Sequence, residues 1–245
     1  MASLDVIEGV AYKDKPVGTE ALIAELDRIM ARPGQNRLEH PVIHALERGE
    51  LSRNQIAGWI YQITCWANPT NILLGSLYAR CQDEDLRKMV LDNLAEEEYG
   101  SESGTAGHVE LFERTFTELG WDEQHRRREP VLMDTWALAH WFEVVLTQRP
   151  IAEGIAAASF SAERINPLCF GRIEQAMRKH YAISDYGLQS IAVHASHVEV
   201  EHGSLGPSAF ARYCTTADAQ NRLRFTVAHT NELYYRQWMS FKHYA

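Results

Sequence analysis

The sequence predicts an all-α protein of roughly seven to nine helices. Three observations carry that prediction. Apolar residues recur three and four apart over most of the chain from Thr19 onward, the period of a half-buried helix. No stretch shows sustained period-two alternation bounded by Asn-Gly or Asp-Gly turns, so a sheet is not expected. The 245 residues are 45% hydrophobic and 23% charged, enough for one sizeable core and too apolar for a disordered chain.

Residues 1–18 read as a loose N-terminal arm and residues 19–245 as a single helical domain. Leu22, Ile23, Leu26, Ile29 and Met30 share one helix face, and Pro33 with Gly34 ends that helix. A second helix fits Pro41 to Gly49. Ser52 with Gln55 three residues on has the spacing of a capping box. It opens a long helical stretch from Ile56 to Cys81, with an interruption expected near Pro69. The next stretch runs from Asp83 to Gly120, a natural stop. Further helices fit Pro130 to Leu146, Ile151 to Tyr181, Asp185 to Tyr213 and Ala217 to His243.

Composition excludes several classes of function. Lys and Arg number 24 against 33 Asp and Glu, a formal net charge of −9. A nucleic-acid surface needs a basic face to neutralise phosphates, and a polybasic membrane anchor needs the same sign of charge. No apolar run is long enough for a transmembrane helix, and the acidic, mixed start does not resemble a signal peptide. Cys65, Cys81, Cys169 and Cys214 are scattered with no C-x-x-C pair, which fits reduced thiols in a cytoplasmic protein.

Three segments carry residues suited to metal chemistry. In HASHVEVEHG, residues 194–203, Glu199 and His202 form an E-x-x-H step. That spacing projects a carboxylate and an imidazole from one helix face, as helical di-iron sites require. In LAEEEYGSESGTAGHVELF, Glu98 and His108 are ten residues apart. A straight helix would leave them about 80° apart, so a bend at Gly104 and Gly107 is needed to bring them together. In SFSAERINP, Glu163 sits among alanines and Phe160 on a helix expected to be buried. A buried carboxylate is costly unless it is paired or binds a metal, and Arg164 next to it points about 100° away. The ordinary alternatives are a solvated acidic face, a histidine-rich surface and a salt bridge to another helix. Combined, the three segments offer mixed oxygen and nitrogen donors suited to iron or manganese. A ferritin-like layout would need two E-x-x-H steps, and only the one at Glu199 is present.

The segments EHPVIHALERGELSRNQIAGWIYQ and EVEHG, with the helical C-terminus from His229, resemble the pyrroloquinoline-quinone synthase and heme-oxygenase-like superfamily. The likeness covers residues 36–245 and implies a compact heme-oxygenase-like helical bundle and a homodimer. Within the superfamily, the ligand pattern of the di-iron oxidases implies Glu98, His108, Glu163, Glu199 and His202 as metal ligands here. The family's first histidine of the third ligand helix falls at Ala195. His194 lies one residue earlier, and a π-bulge would swing it into place. A register using His194, His197 and Glu201 is the alternative.

The resemblance implies two Fe(II) per chain, O2 as co-substrate, a small-molecule substrate and an external electron donor. N-oxygenation of an amine leads among the implied reactions, beside desaturation or C–C cleavage of an amino or fatty acid. Three rivals remain. One is a cofactorless oxidase of the quinone-synthase type. Another is a thiaminase-type hydrolase with Cys169 as nucleophile. The third is a helical interaction protein whose histidines are only solvated.

Overall fold

The computed structural model describes residues 5–196 and 205–245. Those residues form helices joined by turns and loops, with no strand among them. Twelve α-helices are described: α1 Thr19–Met30, α2 Pro41–Glu47, α3 Arg53–Arg80, α4 Glu84–Tyr99, α5 His108–Glu118, α6 Glu123–Arg128, α7 Met133–Thr147, α8 Ile151–Ile155, α9 Asn166–His180, α10 Gln189–His194, α11 Leu205–Tyr213 and α12 Ala217–Trp238. A π-helical stretch, Ala156–Ser161, follows α8 directly, and 3-10 turns span Arg37–Glu39 and Met239–Tyr244. Among the described residues, no helix is long and apolar enough to cross a membrane.

The helix expected from Asp83 to Gly120 is two, α4 and α5, separated by a turn over residues 100–107. The stretch expected from Ile151 to Tyr181 is divided into α8, the π segment and α9. In the opposite sense, α3 runs unbroken through Pro69. Its capping box forms as expected: the Ser52 hydroxyl accepts the Gln55 amide N–H at 3.1 Å and the Gln55 side chain accepts the Ser52 N–H at 2.9 Å. Helix α3 packs against α4, α5, α7 and the C-terminal turn. Tertiary packing on that scale holds a helix through the hydrogen bond a proline removes. The arm before α1 is tied down: the side-chain amides of Gln220 and Asn221 on α12 each accept from and donate to the main chain, at Val17 and Lys13 respectively, at 2.8–2.9 Å.

Two groups of buried side chains make the core. One is built on α1, α4, α7, α8, α11 and α12, with Leu26, Phe142, Phe160 and Phe210 inside it. The other joins α2, the start of α3, α5, α9, α10 and the C-terminus around Trp59, Phe116, Ile173 and Trp238. Trp66 packs against both groups. A cavity opens where they meet, lined by Ile63, Phe112 and Phe170 from one side and Leu74, Phe142 and Tyr234 from the other.

His40 shows how the chain entry is fixed. Its Nδ1 accepts the Val42 N–H at 3.1 Å, capping α2, with Pro41 at the first helical position. Its Nε2–H donates to the Tyr235 carbonyl at 3.0 Å, tying that cap to α12. The ring is wholly buried. Burial pulls its pKa from 6.5 down to about 4, against the opposing pull of the Tyr235 carbonyl. Between those two values the unfolded chain binds a proton that the folded chain does not. Stability contributed by the neutral ring is therefore full above about pH 6.5 and falls as the pH drops towards 4, by on the order of 3 kcal/mol. Urea unfolding at pH 7 and pH 4.5 checks this. The loss should be clearly smaller in His40→Asn, which keeps a capping side chain without a titrating ring. An equal loss in both proteins would refute the role.

Candidate metal centre

Helix α4 carries its buried face through Leu86, Val90, Asn93 and Glu96, a helical spacing of three and four. The helix ends at Tyr99, and Gly100 adopts the left-handed conformation with φ 63°. A Cβ at Gly100 would come within 2.6 Å of the Thr105 carbonyl oxygen, and one at Gly107 within 2.3 Å of the Glu98 carbonyl oxygen. Only glycines allow the chain to double back this tightly. The reversal sets His108, the first residue of α5, against the last turn of α4.

His108 is gripped on both edges of its ring. Its Nε2 lies 3.1 Å from Glu96 Oε1, and its Nδ1 lies 3.0 Å from Glu97 Oε1. Glu96 is wholly buried. Its other oxygen accepts the main-chain N–H groups of Glu102 at 2.7 Å and Ser103 at 3.1 Å. Burial alone would raise the Glu96 pKa, but the hydrogen bonds from His108, Ser103 and Glu102 outweigh it and hold the carboxyl well below its ordinary value. Glu96 is therefore a carboxylate acceptor, and the His108 Nε2–H donates to it. Nδ1 faces the Glu97 carboxylate at 3.0 Å, a contact that either a second ring proton or a bound cation satisfies. A carboxylate behind the far nitrogen of a histidine is the arrangement that orients metal-binding imidazoles.

The third member is His194, the last residue of α10 and buried. Its Nδ1–H donates to the Ser190 carbonyl at 2.6 Å, which leaves the lone pair on Nε2. Its ring stands 4.7 Å from that of His108, between Phe112 and Phe170. Ligand atoms of Glu97, His108 and His194 all lie within 4.8 Å of one another. Glu163 lines the same cavity but lies outside that group. It is buried, and its Oε1 accepts the Asn93 amide at 3.0 Å, one turn of α4 before Glu96. It stands just beyond the π-helical stretch, where Arg164 turns away to pair with Asp27 at 2.8 and 3.0 Å.

The expected residues therefore fare differently. His108 and His194 come together, and Glu163 shares their cavity. Glu98 does not join them: it is exposed, about 100° further round α4. Glu97 takes that place. Glu199 and His202, like His197 and Glu201 of the alternative register, lie outside the described residues. The π-helical turn lies ahead of Glu163 rather than at His194. Cys169 is fully buried in α9, and burial pushes its thiol up to about 11; a thiol held in that form is a poor nucleophile. Sequence reasoning missed Glu96 and Glu97, although the buried phase of α4 points to them: three and four residues beyond Asn93 lie positions 96 and 97, and 98 falls off the face.

Residues 57–235 match the family described as iron-containing redox enzymes. The chain belongs to this family. The protein is thus an oxidoreductase of an iron-containing family, and its donor set of two imidazoles and carboxylates in an apolar cavity suits iron. Among curated proteins, a 4-aminobenzoate synthase of Chlamydia pneumoniae is 22% identical over 170 residues, covering 69% of this chain and 73% of that protein. A 4-aminobenzoate synthase of Chlamydia muridarum is 29% identical over 139 residues, 54% of each. Among solved structures, a TenA homolog from Pseudomonas syringae superposes with a TM-score of 0.77 at 13% identity, covering 95% of this chain and 100% of that one. A CADD-like protein of Nostoc punctiforme gives 0.70 at 16% identity, with coverage of 92% and 98%. Both establish the heme-oxygenase-like fold.

The His108–Glu96 hydrogen bond fits an orienting role for Glu96, so Glu96→Gln is expected to lower Fe(II) affinity by roughly 10- to 100-fold with the helical circular-dichroism signal kept. Anaerobic equilibrium titration reads this directly. Undiminished affinity in the variant would rule out the orienting role.

Proposed function

We propose that the protein is an O2-activating di-iron oxidase or oxygenase that acts on a small amine-bearing substrate, with N-oxygenation as its reaction. The observation that carries this reading is the convergence of Glu97, His108 and His194 on one point beside an apolar cavity. Glu163 on the wall of the same cavity supports a second metal position, to which Glu199 and His202 would contribute. Relatives named for making 4-aminobenzoate, an aromatic amine, support the amine-bearing substrate.

The iron, when bound, supplies the redox chemistry with O2. The chain's own groups prepare the place. Glu96 keeps the proton of His108 on Nε2 and so presents Nδ1 to the metal position. Ser190 does the reciprocal task for His194, holding its proton on Nδ1. Asn93 donates to one oxygen of Glu163 and fixes that carboxyl. Ile63, Trp66, Leu74, Phe112, Phe142 and Phe170 make an apolar wall that excludes water and strengthens each polar contact inside.

The burial of His108 and His194 counts against an interaction protein with solvated histidines. The paired imidazoles and carboxylates favour the metal-dependent oxidase over a cofactorless one.

Anaerobic loading with Fe(II) followed by metal analysis is the test. Two irons per wild-type chain are expected. Glu163→Ala should abolish stable occupancy of at least one site with the fold intact, and His194→Ala should do the same. Wild-type protein that retains no iron, or Glu163→Ala that retains two, would defeat the proposal.

A further inference from the structure

Arg37 is 2% exposed and lines the same cavity as the metal-ligating group. Among the described residues that line this cavity it is the one lysine or arginine. Its acceptors there are all neutral. Nη2 donates to the main-chain carbonyls of Ser161 at 2.7 Å and Ala162 at 2.6 Å, and Nη1 to the Asn166 side-chain oxygen at 3.2 Å. Its Nε–H is buried and has no acceptor among the described residues. The guanidinium lies 4.8 Å from the Tyr234 ring centroid and 5.4 Å from that of Trp238, both on the cavity wall.

Part of this is architectural. Ser161 closes the π segment and Ala162 follows it, and the Asn166 N–H, which a continuing α-helix would give to the Ala162 carbonyl, goes to the Glu163 carbonyl instead at 2.9 Å. Neutral donors would meet that need. A fixed positive charge, taken from water and left without a carboxylate partner, is a much larger cost than the carbonyls require. The cost is offset when an anion enters the cavity and meets the charge.

We infer that Arg37 is a specificity-determining residue that binds a carboxylate group of the substrate. This rests on the oxidase reading of the site and adds to it the class of substrate: a small carboxylic acid, held by its anionic end while its reacting group faces Glu97, His108 and His194. A single cation suits a monoanionic carboxylate, and the aromatic wall of Trp66, Phe142 and Phe170 suits an apolar body attached to it.

Benzoate and its uncharged isostere benzamide are the probes, used on the full-length protein freed of metal so that neither can bind iron. Trp66 and Trp238 report binding through fluorescence. Benzoate should bind at least about tenfold more tightly than benzamide, the contribution of one charge-assisted hydrogen bond. Arg37→Gln should remove the preference. Equal affinity of the wild-type protein for the two probes, or a folded Arg37→Gln that keeps the preference, would overturn the inference.

Should Arg37→Gln not fold, the wild-type protein decides through nitrogen-15 NMR. The Arg37 Nε–H resonance, assigned by its loss in Arg37→Lys, should move with benzoate and stay still with benzamide. A resonance unmoved by benzoate overturns the inference. The two readings fail separately. Wild-type protein that loads no iron yet prefers benzoate refutes the oxidase, and one that loads two irons with no preference refutes the role of Arg37.

Discussion

The constraint on which the site depends is a histidine ring held between two consecutive glutamates. Neighbouring residues on a helix diverge by about 100°, so Glu96 and Glu97 can address one ring only from two sides. His108 meets both because the chain reverses within residues 100–107. Gly100 and Gly107 stand where any side chain would strike the backbone of that reversal. The reversal in turn supplies the Glu102 and Ser103 amides that make a buried Glu96 carboxylate tolerable. Turn, glycines and buried charge thus follow from one requirement, that the His108 ring lie between Glu96 and Glu97.

The opposite part of the cavity is organised by a break in a helix. The π-helical stretch Ala156–Ser161 and the turn after it separate α8 from α9 and set Glu163 on the cavity wall. A wider helical turn leaves carbonyls that the regular ladder does not satisfy, and Arg37 answers two of them from the 3-10 turn before α2. Arg37 then rests against Tyr234 and near Trp238 of α12, and His40 binds the Tyr235 carbonyl from the same short segment. The entry to α2, the π segment and α12 are locked together in this way, and the position of Glu163 is inherited from that lock.

Much of this is legible in the sequence alone. The 3.6-residue spacing of Leu22, Leu26 and Ile29 marked α1, and Ser52 with Gln55 marked the start of α3. His108 and Glu163 stood out because an imidazole beside a glycine-rich break, and a carboxyl among alanines, need partners. The division of long helical stretches was less legible, because residues 156–161 and the regular turns around them share one apolar composition and differ only in hydrogen bonding. Pro69 misled in the other direction, since a local rule about proline yields to packing on several sides of α3. The choice among Glu96, Glu97 and Glu98 was a matter of phase. Identical residues carry no signal of their own, and only the row through Leu86, Val90 and Asn93 distinguishes them. Arg37 was invisible because burial of a charge is a tertiary fact.

The distribution of charge gives the cavity a direction. Carboxyl groups of Glu96, Glu97 and Glu163 gather near two imidazoles, and such a cluster lowers the energy of any cation that enters and raises that of any anion. Arg37 reverses the sign elsewhere on the same wall. Between them the lining is mostly aromatic and aliphatic, a setting in which both fields are stronger than in water. A ligand with a negative end has one favourable orientation in such a field, the negative end at Arg37 and the other end towards Glu97, His108 and His194. A ligand that is neutral throughout gains only contact with the apolar wall and leaves the guanidinium unpaired. Orientation is thereby decided by electrostatics, which is how a rigid helical scaffold can set one end of a small molecule against a chosen group of side chains.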